Sequence, residues 1–140
     1  MNRVPLLLFI FLSFGAAAMS QTPAVFHSSY ERKRYDFYVT EEQLKATPAW
    51  PDDQDAPPLA PRLALSTARK SLQQLFPDAE NWQLGDVTLQ PMWKSWIYVV
   101  HFAVPPPTSL STRPASWFNV VVLMNGEPVQ PKIVELKPPK

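Results

Sequence analysis

Proline restricts this chain more than any other feature. The sequence holds 17 prolines against 3 glycines, and each proline fixes its own φ and removes a backbone donor. Regular structure must therefore fit between the prolines. Pro48 to Pro58 carries four of them around Asp52-Asp53-Gln54-Asp55 and reads as a solvated acidic linker. Pro61 to Phe76 reads as a helix. Pro61 suits the first turn, where a missing N–H costs nothing. Ala64, Leu65, Ala68, Leu72, Leu75 and Phe76 recur three and four apart as one apolar stripe. Arg62, Ser66, Arg69 and Gln73 form the wet face, and Pro77-Asp78 ends the helix.

Beyond the helix the pattern is that of strands. Trp82 and Leu84 share one parity and Val87 and Leu89 the other, which predicts a bulge at Gly85-Asp86. Ser95 to Val104 is a strand with Trp96, Tyr98, Val100, Phe102 and Val104 on one face, ended by Pro105-Pro106-Pro107. Trp117 to Met124 alternates and runs into Asn125-Gly126, the residues that a type I′ turn favours. That turn sets Met124 opposite Glu127, Val122 opposite Val129, Val120 opposite Pro131 and Phe118 opposite Ile133. Phe118, Val120, Val122, Val129 and Ile133 then share the core face. Pro128 and Pro131 make the last strand an edge. Ahead of the helix, Gln21 to Ser29 lacks periodicity and is expected to be a mobile arm. Tyr35 to Val39 reads as a short strand or an extended arm, and Thr40 to Leu44 as one helical turn. The expected fold is α+β: one main helix packed on a four-stranded antiparallel sheet, preceded by a Pro-rich N-terminal arm.

The first residues have the three parts of a secretory signal. Met1-Asn2-Arg3 is positive, Val4 to Phe14 is apolar, and Gly15-Ala16-Ala17-Ala18 is small. The run is shorter than the roughly 20 residues that span a bilayer, so cleavage after Ala18 or Ser20 is expected. No cysteine follows that would carry a lipid. The expected division is a signal peptide at 1–20, an arm and linker at 21–57, an α+β domain at 58–136 and a tail at 137–140. The mature chain is expected to be exported, periplasmic or secreted, and free of the membrane. Its stability must come from an apolar core, because there is no cysteine for a disulfide framework. Loss of Arg3 balances the remaining basic residues against the 12 acidic ones. Without a basic face, nucleic acid is not an expected partner.

No catalytic, cofactor or metal signature is legible. His27 and His101 are the two histidines, and neither has the spacing of a ligand pair. Ser28, Ser29 and Ser109 sit in no nucleophile elbow. The acidic run at 52–55 departs from a calcium loop, since Ala56-Pro57-Pro58 follows it. Ile97, Val99, Val121 and Leu123 make the second sheet face more apolar than a wetted face. Either the Tyr35–Val39 segment covers it, or a partner does. Together with Trp93, at a strand start after Pro91-Met92, these are the candidate partner-binding residues. The edge from Glu127 to Glu135 and the loop from Pro105 to Ser116 are further candidate surfaces.

Ala64-x-x-x-Ala68-x-x-x-Leu72, Trp96-Ile97-Tyr98-Val99-Val100 and Val120-Val121-Val122-Leu123-Met124-Asn125-Gly126 together resemble half-barrel modules of the PepSY and cystatin-like kind, over about Pro58 to Glu135. That resemblance implies a non-catalytic exported module that binds or restrains a protein, peptidases among them. The expected function is binding of an envelope or secreted protein. Two rivals have structural signatures. A hydrolase would hold Asp86 and His101 together in a cleft under the helix. A small-ligand carrier would have a cavity between helix and sheet.

Overall fold

The computed structural model describes residues 22–106 and 116–138. The expected signal segment and most of the Pro105–Ser116 loop lie outside them. The order is β1 (Ala24–Tyr30), β2 (Lys33–Val39), α1 (Glu41–Lys45), α2 (Pro61–Leu75), a 3-10 turn (Ala79–Asn81), β3 (Gln83–Met92), β4 (Ser95–Val104), β5 (Ser116–Leu123) and β6 (Pro131–Glu135). The fold is α+β with one main helix, but it has two three-stranded antiparallel sheets rather than one of four strands. Their orders are β1-β2-β6 and β3-β4-β5.

The expected arm is therefore a structural hairpin. Ala24 pairs with Val39 and Tyr30 with Lys33. Glu31 and Arg32 make the turn with φ of 47° and 64°, the two positive values of a type I′ turn, with neither residue of the favoured kind. Tyr35, Phe37 and Val39 alternate into the core, the last two with no exposed surface. Tyr35 meets Phe118 and Phe76 edge to face, at 5.1 and 5.3 Å between centroids. Trp82 stacks on Phe76 at 5.2 Å. Such pairs add about 0.5–1.5 kcal/mol each beyond their buried area, and they fasten the hairpin to the end of α2 and the start of β5.

The predicted helix is present, ending one residue early with Phe76 as its C-cap. Ala64 and Ala68 are fully buried and Leu72 nearly so. Small residues there bring the helix close to β4 and β5. The Tyr98 hydroxyl donates to the Leu59 carbonyl at 2.7 Å, and the Arg69 guanidinium lies 5.4 Å from the Phe102 ring centroid. Helix α2 thus covers the face of β4 that carries Tyr98, Val100 and Phe102.

Strand β4 has its predicted bounds, and the bulge falls between Leu84 and Asp86 as predicted. The Asn125-Gly126 hairpin differs from its expectation. Gly126 has φ of 85°, while Asn125 is not in the left-handed region, so the turn is not type I′. The Gly126 amide donates to the Leu123 carbonyl and the Leu123 amide to the Glu127 carbonyl, both at 2.9 Å. This is a three-residue loop, a turn followed by a glycine bulge, and it moves the register by one residue. Val122 faces Pro128, and the Val129 amide reaches the Val121 carbonyl at 2.9 Å. The chain then leaves β5, so that Ile133 faces Tyr35 of β2. Ile133 is half exposed rather than a core residue. Strand β6 is an edge, but of the other sheet.

Candidate functional site

The β3–β4 turn is built against the sequence's own preferences. Met92 pairs with Ser95, leaving Trp93 and Lys94 as its two central residues. Trp93 has φ of 51°, a region that glycine occupies freely and a bulky side chain does not. The residue is 42% exposed. Helix α1 lies alongside. Thr40 and Gln43 cap it reciprocally: the Gln43 amide donates to Thr40 Oγ1 at 3.2 Å and the Thr40 amide to Gln43 Oε1 at 2.8 Å. Leu44 is buried, and Thr47 Oγ1 donates to its carbonyl at 2.7 Å while lying 3.4 Å from Ser95 Oγ. Between α1 and the turn lies a groove of about 540 Å³, lined by the apolar Leu44, Ala49, Met92 and Trp93 and by the charged Glu41, Lys45 and Lys94. Lys45 is paired with Glu41 at 3.0 Å.

Of the five residues expected to meet a partner, the structure leaves only Trp93 accessible. Ile97 and Val121 have no exposed surface, Val99 has 3% and Leu123 4%. The chain buries them itself, so the second sheet face is not a free apolar surface over these positions. Between α2 and the sheet, where a carrier would hold its ligand, Ala64, Ala68, Leu72, Val100, Phe102 and Val120 are buried in one apolar cluster.

His101 and Asp86 do meet, through Nδ1 and Oδ1, with Thr88 Oγ1 donating to the same carboxylate oxygen at 3.2 Å. The pair lies on the face turned away from α2, because His101 alternates with Phe102 along β4. The Asp86 side chain is 65% exposed. It is an open surface pair, not a cleft under the helix.

This pair is part of a polar row that sequence reasoning missed. His101 faces Asn119 on β5. The Asn119 amide donates to Ser28 Oγ at 2.8 Å, and its Nδ2 to the His27 carbonyl at 3.3 Å. His27 faces Asp36, which faces Lys132. Asp36 is nearly inaccessible, and His27 Nδ1 and Arg34 Nε hold its Oδ1 at 2.7 and 2.9 Å. The His27 hydrogen bond, with help from Arg34, keeps its carboxyl below the usual carboxylate range against the opposing effect of desolvation. The sequence signal was the matched pair of His27 and Asp36 nine residues apart, visible only once Glu31-Arg32 is taken as a two-residue turn.

Among the described residues no three His, Cys, Asp or Glu side chains come together to hold a metal ion. No helix there is long and apolar enough to cross a membrane. Comparison of the chain with protein-family models, with curated proteins and with solved structures finds no match.

Proposed function

We propose that the protein is a non-catalytic binding module that takes a segment of another exported protein into the groove between α1 and the β3–β4 turn. The observation that carries this reading is Trp93, a large side chain kept half exposed at a backbone position suited to glycine. Strain of this kind costs about 1–3 kcal/mol, and the fold retains it beside an apolar groove. The groove's chemistry describes its occupant. Leu44, Ala49, Met92 and Trp93 fit an apolar side chain, and Lys94 beside them fits a neighbouring carboxylate. An acidic, apolar segment of an envelope or secreted protein matches both. A peptidase restrained in this way is one such partner, the kind that the resemblance to PepSY-like modules implies.

The test pairs capture with point variants. The tagged protein is used to recover partners from the envelope and secreted fractions of the source cells, beside Trp93→Gly and Lys94→Glu variants of unchanged circular dichroism. The expected result is one stoichiometric protein, lost by both variants, whose acidic segment binds as a peptide. Recovery of no such protein, or of one that both variants retain, overturns the reading.

A further inference from the structure

We propose that the opposite end of the β3–β4–β5 sheet carries a second site, which binds a β-1,4-linked glycan chain. Trp117 is half exposed, yet its indole is not loose. It lies over Gly85 so closely that a Cβ there would collide with it, so the bulge glycine sets the ring's position. Beside the ring runs the polar row: Asp86 on β3, His101 on β4, Asn119 on β5, then His27 on β1. Each member is anchored. Asp86 is held by His101 and Thr88, and Asn119 by Ser28 and the His27 carbonyl. Asn119 Oδ1 is buried and has no hydrogen-bond partner among the described residues, an acceptor of the kind that native proteins rarely leave unmatched.

Three features select a saccharide. A half-exposed, immobilised indole offers a flat apolar surface to the C–H face of a pyranose ring. The row offers planar amide, carboxylate and imidazole groups, which suit hydroxyls. Its carboxylates are already hydrogen-bonded, Asp86 to His101 and Thr88 and Asp36 to His27 and Arg34, so the row offers fixed acceptors to hydroxyls. The spacing agrees as well. The row crosses β3, β4 and β5 at about 4.8 Å per strand, close to the length of one sugar ring, so successive rings of an extended β-1,4 chain meet these three strands. Preorganised side chains of this kind bind with little ordering cost.

Titration calorimetry of the purified protein with cellohexaose and with chitohexaose tests the site. Saturable binding of at least one, with Kd of about 1 mM or tighter, is expected. Trp117→Ala should weaken it at least tenfold and Asp86→Asn severalfold, with Leu63→Gln on the far side of α2 as the unchanged control. Should Trp117→Ala fail to fold, two-dimensional NMR of the wild type decides: the glycan must shift the Trp117 indole N–H and the Asn119 side-chain amide. Absence of binding by both glycans at millimolar concentration overturns the proposal. So does binding that Trp117→Ala leaves intact, or shifts confined to other residues.

Discussion

At Trp93 backbone conformation and side-chain chemistry are in conflict, and a pair of substitutions separates them. Trp93→Ala and Trp93→Gly both remove the indole, so their packing losses are equal. They differ in φ of 51°, which glycine tolerates and alanine does not. The glycine variant should therefore be more stable than the alanine variant by about 1 kcal/mol, read as a higher urea midpoint at unchanged slope. Equal stabilities would show that the turn relaxes, and the strain argument would fall with it. Asp36 supports a second prediction at this scale. Its folded carboxyl lies below the ordinary value of 3.8, first because of the His27 hydrogen bond. A depressed carboxyl stabilises the fold fully above its unfolded value, and that contribution is lost as pH falls from there through the folded value. Wild-type stability should drop as pH falls below about 4, and the charge-free Asp36→Asn should be less stable at neutral pH with a flatter profile in that acid range. Parallel profiles for the two proteins would count against the assignment.

Elements were legible where the residues that make them also announce them. Pro61 and the alanine-leucine stripe announce α2, and Ser95 to Val104 announces β4 by a nearly continuous run of aromatic and β-branched residues ended by prolines. Gly85 at a change of parity announces the bulge. Tyr35 to Val39 was legible as a strand and lies in β2, but its pairing with β1 was not, because Gln21 to Ser29 lacks periodicity and the turn is Glu31-Arg32, two charged residues at positive φ. Nor was the path of β6. Asn-Gly favours a two-residue turn, but three residues close the loop here, and a one-residue change of register turns each following side chain to the other face. That slip sends Ile133 out of the expected core and releases β6 to β2. The candidate site was legible only in Trp93, since the polar row joins strands whose adjacency depends on the unseen hairpin. The Glu31-Arg32 turn carries its own prediction. Replacing the pair by Asn-Gly supplies residues that accept both φ values and should raise stability by about 0.5–1 kcal/mol, measured by urea denaturation. A loss of stability would mean that Glu31 or Arg32 makes contacts worth more than the relief of the turn.

Over the whole molecule the two proposed surfaces stand at opposite ends of one sheet. Ser95 adjoins the Trp93 turn, and Ala103 faces Trp117. Eight residue steps of extended strand, from Ser95 to Ala103, separate those two pairs, roughly 26 Å at 3.3 Å per residue. The intervening side chains Ile97 and Val99 are buried, and coupling between the two ends would need a second arrangement of that packing. Substitutions further apart than about 10 Å, with no shared partner, add in stability to within about 0.5 kcal/mol. The double variant Trp93→Gly/Trp117→Ala should therefore be destabilised by the sum of its two single variants within that margin. A thermodynamic cycle from four urea denaturations supplies the number. A coupling well beyond the margin would show that β4 transmits strain along its length, and the two surfaces would then be parts of one linked system rather than independent sites on a common scaffold.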